Sequence, residues 1–156
     1  MSRRLAIAVA VAIVVMLIAL VPPLWVRTTG TDVALPLEPV DPLSVFRGNY
    51  VDLRYDVDAP PAFPVEFGET VYVTFDAASR PAAVIDVSES VPSLDTGEVC
   101  VRARFEESDR LGFPELEQYF VTADEGRLLE RELDNMVGIV RATDSCRALL
   151  VAIEPE

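Results

Sequence analysis

The chain of 156 residues contains no histidine and no lysine. Without histidine there is no imidazole to serve as base for a serine or cysteine nucleophile. Without lysine there is no Ser-Lys dyad, no Schiff base and no phosphate-binding P-loop. A Gly-rich phosphate loop is missing as well. Cysteine is scarce: only Cys100 and Cys146 are present, without the C-x-x-C spacing of a redox or zinc site. Any metal site would have to be built from carboxylates alone, and neither a metal nor a cofactor is expected.

Paired carboxylates are the one remaining route to catalysis. The candidates are Asp52, Asp56 and Asp58, and then Glu115 and Glu117 just before Tyr119. No pair sits in an apolar setting that would displace its pKa. A solvated face is therefore the expected role of these acids, and no catalytic residue is assigned.

Basic residues are few and unevenly placed. From Arg27 onward, eleven arginines set against twenty-six acidic residues leave a formal charge of −15. Such a surface repels nucleic-acid phosphates and anionic lipid headgroups, so no nucleic-acid partner is expected. Solubility is the simplest reading of the acidity, with a cation or a basic partner as the alternative.

What the chain does have is one long apolar run. Leu5 to Val21 is seventeen residues without a charge, followed by Pro22, Pro23, Leu24, Trp25 and Val26. About twenty such residues cross the hydrocarbon core at roughly 1.5 Å each. A cleaved signal peptide would have a shorter apolar region and an A-x-A-like site; a buried core helix is the other alternative, since the segment has no polar face to turn toward water. Residues 5–26 are thus expected as an uncleaved transmembrane helix that packs against nothing in the soluble part. Pro22 and Pro23 should bend or loosen its last turn. Arg3 and Arg4 hold residues 1–4 in the cytoplasm by the positive-inside rule, and Arg27 on the far side weakens that bias slightly. The chain is expected in an inner or plasma membrane, single-pass, with the C-terminal domain outside. An outside location permits a disulfide; two cysteines fit either a Cys100–Cys146 bridge or two free thiols.

After the helix, residues 27–40 read as a connector holding a short first strand at Val33–Leu37, and residues 41–156 as the domain. Asp41-Pro42 signals a short helical turn over Leu43–Phe46, stopped by Gly48. The apolar period then becomes two. Val51, Leu53, Tyr55 and Val57 alternate with Asp52, Arg54 and Asp56, which predicts a half-buried strand. The pattern recurs at Val71, Val73, Phe75 and at Val99, Val101, Ala103, Phe105, where Cys100 shares the outward face with Arg102 and Arg104. Weaker strands are expected at Ala82–Val87, Gln118–Val121 and Val137–Arg141. The unbroken apolar run Ala148–Ile153 suggests a strand buried on both faces. Thr122 and Glu125 form a capping-box pair for a helix through Asp134. The expected fold is mainly β, a β-sandwich or partly open barrel of about seven strands with one helix in its C-terminal half.

The segment Gly48-Asn49-Tyr50-Val51-Asp52-Leu53-Arg54-Tyr55 resembles the signature of the GDYXXLXY protein family. The lead-in Val40 to Arg47 and the block Gln118-Tyr119-Phe120-Val121 with Glu125 to Glu130 are similar to the family's own, and the N-terminal anchor matches. The resemblance implies a bacterial membrane-anchored protein and a multi-spanning membrane protein as partner. The motif's acid is Asn49 here; chemistry resting on that acid would be lost, whereas a turn role would survive, since both residue types serve in turns. On the motif strand Val51, Leu53 and Tyr55 are expected to face the core. Tyr50, Asp52 and Arg54 face the other way, with Arg47 nearby, as a candidate binding surface. A non-enzymatic interaction domain is the leading expectation. A carboxylate-based hydrolase or sugar-binding domain using exposed Tyr72 and Tyr119, and a structural cell-envelope component, are the alternatives.

Overall fold

A segment with no polar face and every backbone group in need of an internal partner forms a helix. In the computed structural model this is α1, Arg3–Thr29. The structure describes residues 3–38, 50–106, 110–120 and 135–156. Within α1, Ile7–Thr29 is long and apolar enough to cross a membrane, with mean hydropathy 2.9. Pro22 and Pro23 lie inside it, and the helix continues past them despite the amide hydrogens they cannot supply. Its last turn is tied by hydroxyls: Thr28 donates to the Leu24 carbonyl at 2.9 Å and Thr29 to the Trp25 carbonyl at 2.8 Å.

Ten strand segments follow among the described residues: β1 Thr31–Glu38, β2 Tyr50–Asp52, β3 Arg54–Tyr55, β4 Thr70–Asp76, β5 Val84–Ser88, β6 Glu98–Phe105, β7 Leu111–Gly112, β8 Gln118–Phe120, β9 Met136–Ala142 and β10 Ala148–Pro155. One sheet has the order β10-β9-β1-β3, a second β5-β4-β6-β7, and β2 pairs with β8 in a short ribbon. The alternation seen in the sequence explains the packing. Val33, Leu35, Leu37 and Val140 from the first sheet join Val71, Val73, Phe75, Val99, Val101 and Ala103 from the second in one core, with Phe113 and Leu116. The fold is therefore mainly β and two-sheeted, as expected. The strand count exceeds seven because β7 is added and the expected strand 49–57 divides in two.

Two backbone bonds pin the sheets to each other. Ala82 donates to the Ala34 carbonyl at 2.8 Å, and Arg102 donates to the Cys146 carbonyl at 3.1 Å. Beside the second bond, Cys100 and Cys146 form a disulfide with Cα atoms 4.7 Å apart, inside the usual range of about 4.4–6.8 Å. Cys100 lies outside the shared core, on the face its alternation assigns, yet it is fully buried because the turn bearing Cys146 lies against it.

Three expectations change. The short strand expected at Val33–Leu37 is longer and more central than its place in a connector suggests: β1 spans Thr31–Glu38, lies between β9 and β3, and buries Val33, Leu35 and Leu37. The helix does touch the domain, since Val26 is only 5% exposed and α1 meets β9 and β10. Ala148–Ile153 is not buried on both faces: each of these residues is half-buried, and among the described residues β10 has β9 alone as neighbour in its sheet. A bulge between Leu150 and Ala152 breaks its alternation; Ala148, Leu150 and Ile153 pack against the core. The expected turn at Leu43–Phe46 and the expected helix at 122–134 lie outside the described residues.

The disulfide closes a loop between positions separated by 46 residues, so its removal should release substantial chain entropy to the unfolded state. Cys100→Ser with Cys146→Ser should cost about 2–4 kcal/mol, measured by urea unfolding of the detergent-solubilised full chain under non-reducing conditions.

Candidate functional site

The motif strand changes partners halfway along. Tyr50, Val51 and Asp52 pair with Phe120, Tyr119 and Gln118 of β8, and the Leu53 amide continues the ladder to the Glu117 carbonyl at 2.7 Å. Arg54 and Tyr55 pair instead with Glu38 and Leu37 of β1, and Asp56 donates to the Pro36 carbonyl at 3.0 Å. One strand thus stitches the β8 ribbon to the first sheet.

The last two motif positions hold this crossing in place. Leu53 is 1% exposed. Tyr55 places its ring edge-on to Phe113, with centroids 5.5 Å apart, and its hydroxyl donates to the Leu116 carbonyl at 3.0 Å. Glycine at 138 leaves room for that ring: a Cβ there would lie 3.1 Å from Tyr55 Cε1. Burial raises the Tyr55 phenol above its ordinary value of 10.0, and the Glu117 charge pushes the same way.

The opposite side of the strand is charged and wet. Arg54, Asp56 and Asp58 are exposed, while Leu53, Tyr55 and Val57 are buried. Glu38, directly across from Arg54, accepts from Arg110 at 2.7 Å. That bond, together with the charges of Glu38, Asp56 and Glu106, raises the Arg110 pKa. Arg54 itself has no ion pair among the described residues. Of the expected surface, Arg54 stands where the alternation places it. Tyr50 and Asp52 are on β2 by their backbone, and Arg47, Gly48 and Asn49 lie outside the described residues. Glu38 and Arg110, brought beside the motif by the fold, were not singled out in the sequence. Nothing local marks them.

Of the candidate carboxylates, Glu115 is taken by Arg102 in a salt bridge, and Asp56 and Asp58 face solvent. No group of three metal-ligating side chains exists among the described residues. Tyr72 and Tyr119 are half-buried rather than exposed, Tyr119 packing against the core, so neither offers a free sugar-stacking face.

A second constellation lies where the helix meets the sheet. Gly30 alone separates α1 from β1, and its amide donates to the Val26 carbonyl at 3.0 Å. A Cβ at Gly30 would lie 2.6 Å from Arg141 Cγ, 2.7 Å from the Val26 oxygen and 2.9 Å from the Ala142 oxygen, two of them backbone atoms. Arg141 grips both Asp32 oxygens at 2.6 Å and donates a third hydrogen bond, at 2.9 Å, to the Arg27 carbonyl. Such a bidentate fork uses the planarity of the guanidinium. Its third bond satisfies a carbonyl in the last turn of the helix. Hydrogen bonding to Arg141 lowers the Asp32 pKa below 3.8 against the opposing effect of desolvation. The contribution of this pair is therefore in place above that ordinary value and is lost as pH falls through the lowered one. Asp32 and Arg141 are 109 positions apart, which no local pattern connects.

The family model described as GDYXXLXY protein matches residues 12–153, a span that includes most of the apolar helix and reaches β10. No curated protein and no solved structure matches the chain.

Leu53→Ala should cost about 2–5 kcal/mol, and Tyr55→Phe about 1–3 kcal/mol through the unpaired buried carbonyl, whereas Arg54→Ala should stay within about 0.5 kcal/mol. Urea unfolding of the full chain in detergent measures all three. Because the folded phenol binds its proton more tightly than the unfolded one, wild-type stability should fall as pH rises above 10.0, and Tyr55→Phe should lose that alkaline component. At the joint, Gly30→Ala and Arg141→Gln should each speed tryptic cleavage after Arg27. Unchanged cleavage rates would show that the Arg27 carbonyl bond does not restrain this segment.

Proposed function

The chain belongs to the GDYXXLXY protein family, and from that premise we propose that it is a membrane-anchored interaction domain. It crosses an inner or plasma membrane once through α1, exposes its β domain on the outer side and binds a multi-spanning membrane protein without turning over a substrate. The observation that carries this reading is the joint at Gly30: the apolar helix passes into the central part of the first sheet through a single residue. An anchor built into the fold keeps the domain beside the bilayer, where a membrane partner is met by lateral diffusion. A segment removed as a signal peptide has no need of a buried Val26 or a capped Arg27 carbonyl.

Two further features support the orientation. Arg3 and Arg4 favour a cytoplasmic N-terminus, and a Cys100–Cys146 disulfide suits an oxidising compartment. The proposed contact surface is the charged side of the motif strand, Arg54 with Asp56, Asp58 and the Glu38–Arg110 pair; Tyr50, Asp52 and Arg47 are proposed for it on the sequence pattern alone. Its mixed charge gives a partner of complementary pattern both orientation and specificity. The absence of histidine and lysine favours binding over catalysis.

Protease added to intact spheroplasts should digest the β domain and leave a helix-sized fragment; a protected domain would reverse the topology. Cross-linking in intact membranes followed by purification should recover a membrane protein with the wild-type chain. Arg54→Glu should reduce that recovery without moving the urea midpoint. Equal recovery with the variant would remove the motif strand from the interface.

A further inference from the structure

We infer that the membrane-proximal end of the domain, the turn 143–147 together with Arg27, is a docking surface for phospholipid headgroups, with Arg27 and Arg147 binding lipid phosphates. The inference rests on the membrane-anchored reading above and adds a second contact with the bilayer, made by the last turn of the helix and the neighbouring sheet end.

The antiparallel order places the surface. Thr31 pairs with Ala142, and Ala142 pairs with Ala148. Gly30, Thr143 and Arg147 therefore stand at the same end of three adjacent strands, each about 4.8 Å from the next. Thr143 closes the turn by donating to the Arg147 carbonyl at 3.0 Å, and Cys146 donates to the Thr143 carbonyl at 2.8 Å. The end of the sheet that meets the helix is thus also the end that carries this turn.

The depth follows from helix geometry. Residues 5–26 extend about 33 Å at 1.5 Å per residue, which matches a hydrocarbon core of about 30 Å. Gly30 then lies about 6 Å above Val26 along the axis, inside a headgroup layer about 5–7 Å thick. Val26 is already buried where α1 meets the domain, so the sheet end comes down to the edge of the hydrocarbon. With one residue between helix and strand, and Arg141 fastening Arg27 to Asp32, the domain has no linker with which to stand clear of the lipid.

Charge at this end differs from the rest of the domain. Residues 27–156 carry a formal −15, yet among the described residues the charged groups at this sheet end are Arg27, Arg141, Arg147, Asp32 and Asp144. Asp32 is neutralised by Arg141. Arg102, whose amide meets the turn, spends its guanidinium on Glu115. Among the described residues Arg27 and Arg147 are exposed and have no ion pair, and exposed Asp144 lies in the same turn as Arg147. Thr28, Thr29, Thr31, Thr143 and Ser145 supply the remaining polar groups. Paired phosphate acceptors suit such a surface, and each arginine adds about fivefold to the affinity for an anionic layer.

The test uses the full chain, labelled with 13C at arginine Cζ and reconstituted in vesicles of phosphatidylcholine and phosphatidylglycerol. Carbon–phosphorus dipolar dephasing by solid-state NMR reports guanidinium groups in contact with lipid phosphate. Arg3 and Arg4 at the opposite interface contribute to the signal, so Arg27→Gln with Arg147→Gln should remove about half of it. Quenching of Trp25, the single tryptophan, by brominated lipid reports insertion of the helix independently. Inserted Trp25 with undiminished dephasing in the double variant would overturn the headgroup contact and leave the anchor standing. Unquenched Trp25 would overturn the anchor and this surface together.

Discussion

A strand that begins one residue after a membrane-crossing length of helix has little freedom in how it lies, and β1 is that strand. Its inward residues Val33, Leu35 and Leu37 enter the core, while its backbone pairs with β9 on one side and β3 on the other. Were β1 to slip by one residue, Asp32 would turn inward and Arg141 would lose its fork, because side chains alternate with period two. The helix exit, the order of the first sheet and the placement of the motif strand are thus coupled through the same eight residues. Gly30 sets how closely the two elements approach, since its missing Cβ is what lets Arg141 and two carbonyl oxygens converge.

The motif strand depends on β1 in turn. Tyr55 pairs with Leu37, sits over Gly138 and holds the Leu116 carbonyl from below. A phenol fits where a phenylalanine would not, because the segment at Leu116 leaves β structure and its carbonyl needs a donor in a buried setting. Leu53 supplies volume at the point where pairing changes from β8 to β1. The family signature thus contains at least two residues whose work is to hold a strand across two pairing partners. Arg54, on the outward side, is exposed and takes no part in that packing.

The disulfide and the edge strand show how the second sheet is kept in register with the first. β10 is the outer strand of its sheet among the described residues, and its charge and proline, Glu154 and Pro155, stand at its C-terminal end. It is restrained at one end by the Cys146 turn and at the other by the Arg80–Glu154 salt bridge. Both restraints cross from one sheet to the other, so they act on the relative position of the sheets more than on either sheet alone.

Much of this was legible in the sequence because it depends on period and composition. The apolar helix, the alternating strands at Leu53–Tyr55, Val71–Phe75 and Val99–Ala103, and the outward assignment of Arg54 and Cys100 follow from which side chains water excludes. Continuous apolar runs were less informative: Ala148–Ile153 reads as doubly buried, but a bulge and a place at the sheet edge leave it half-covered. The stretch after Arg27 looked like a connector since it is short and rich in turn residues, and only pairing with β9 shows it to be a central strand. What the sequence alone determined was the long apolar helix, the β class and the inward face of the alternating strands, all properties of neighbouring residues. Tertiary structure decided the Cys100–Cys146 bridge, the Arg141–Asp32–Arg27 joint and the neighbours of Arg54. Those contacts join positions tens to over a hundred residues apart, and only the closed sheets bring them within bonding distance.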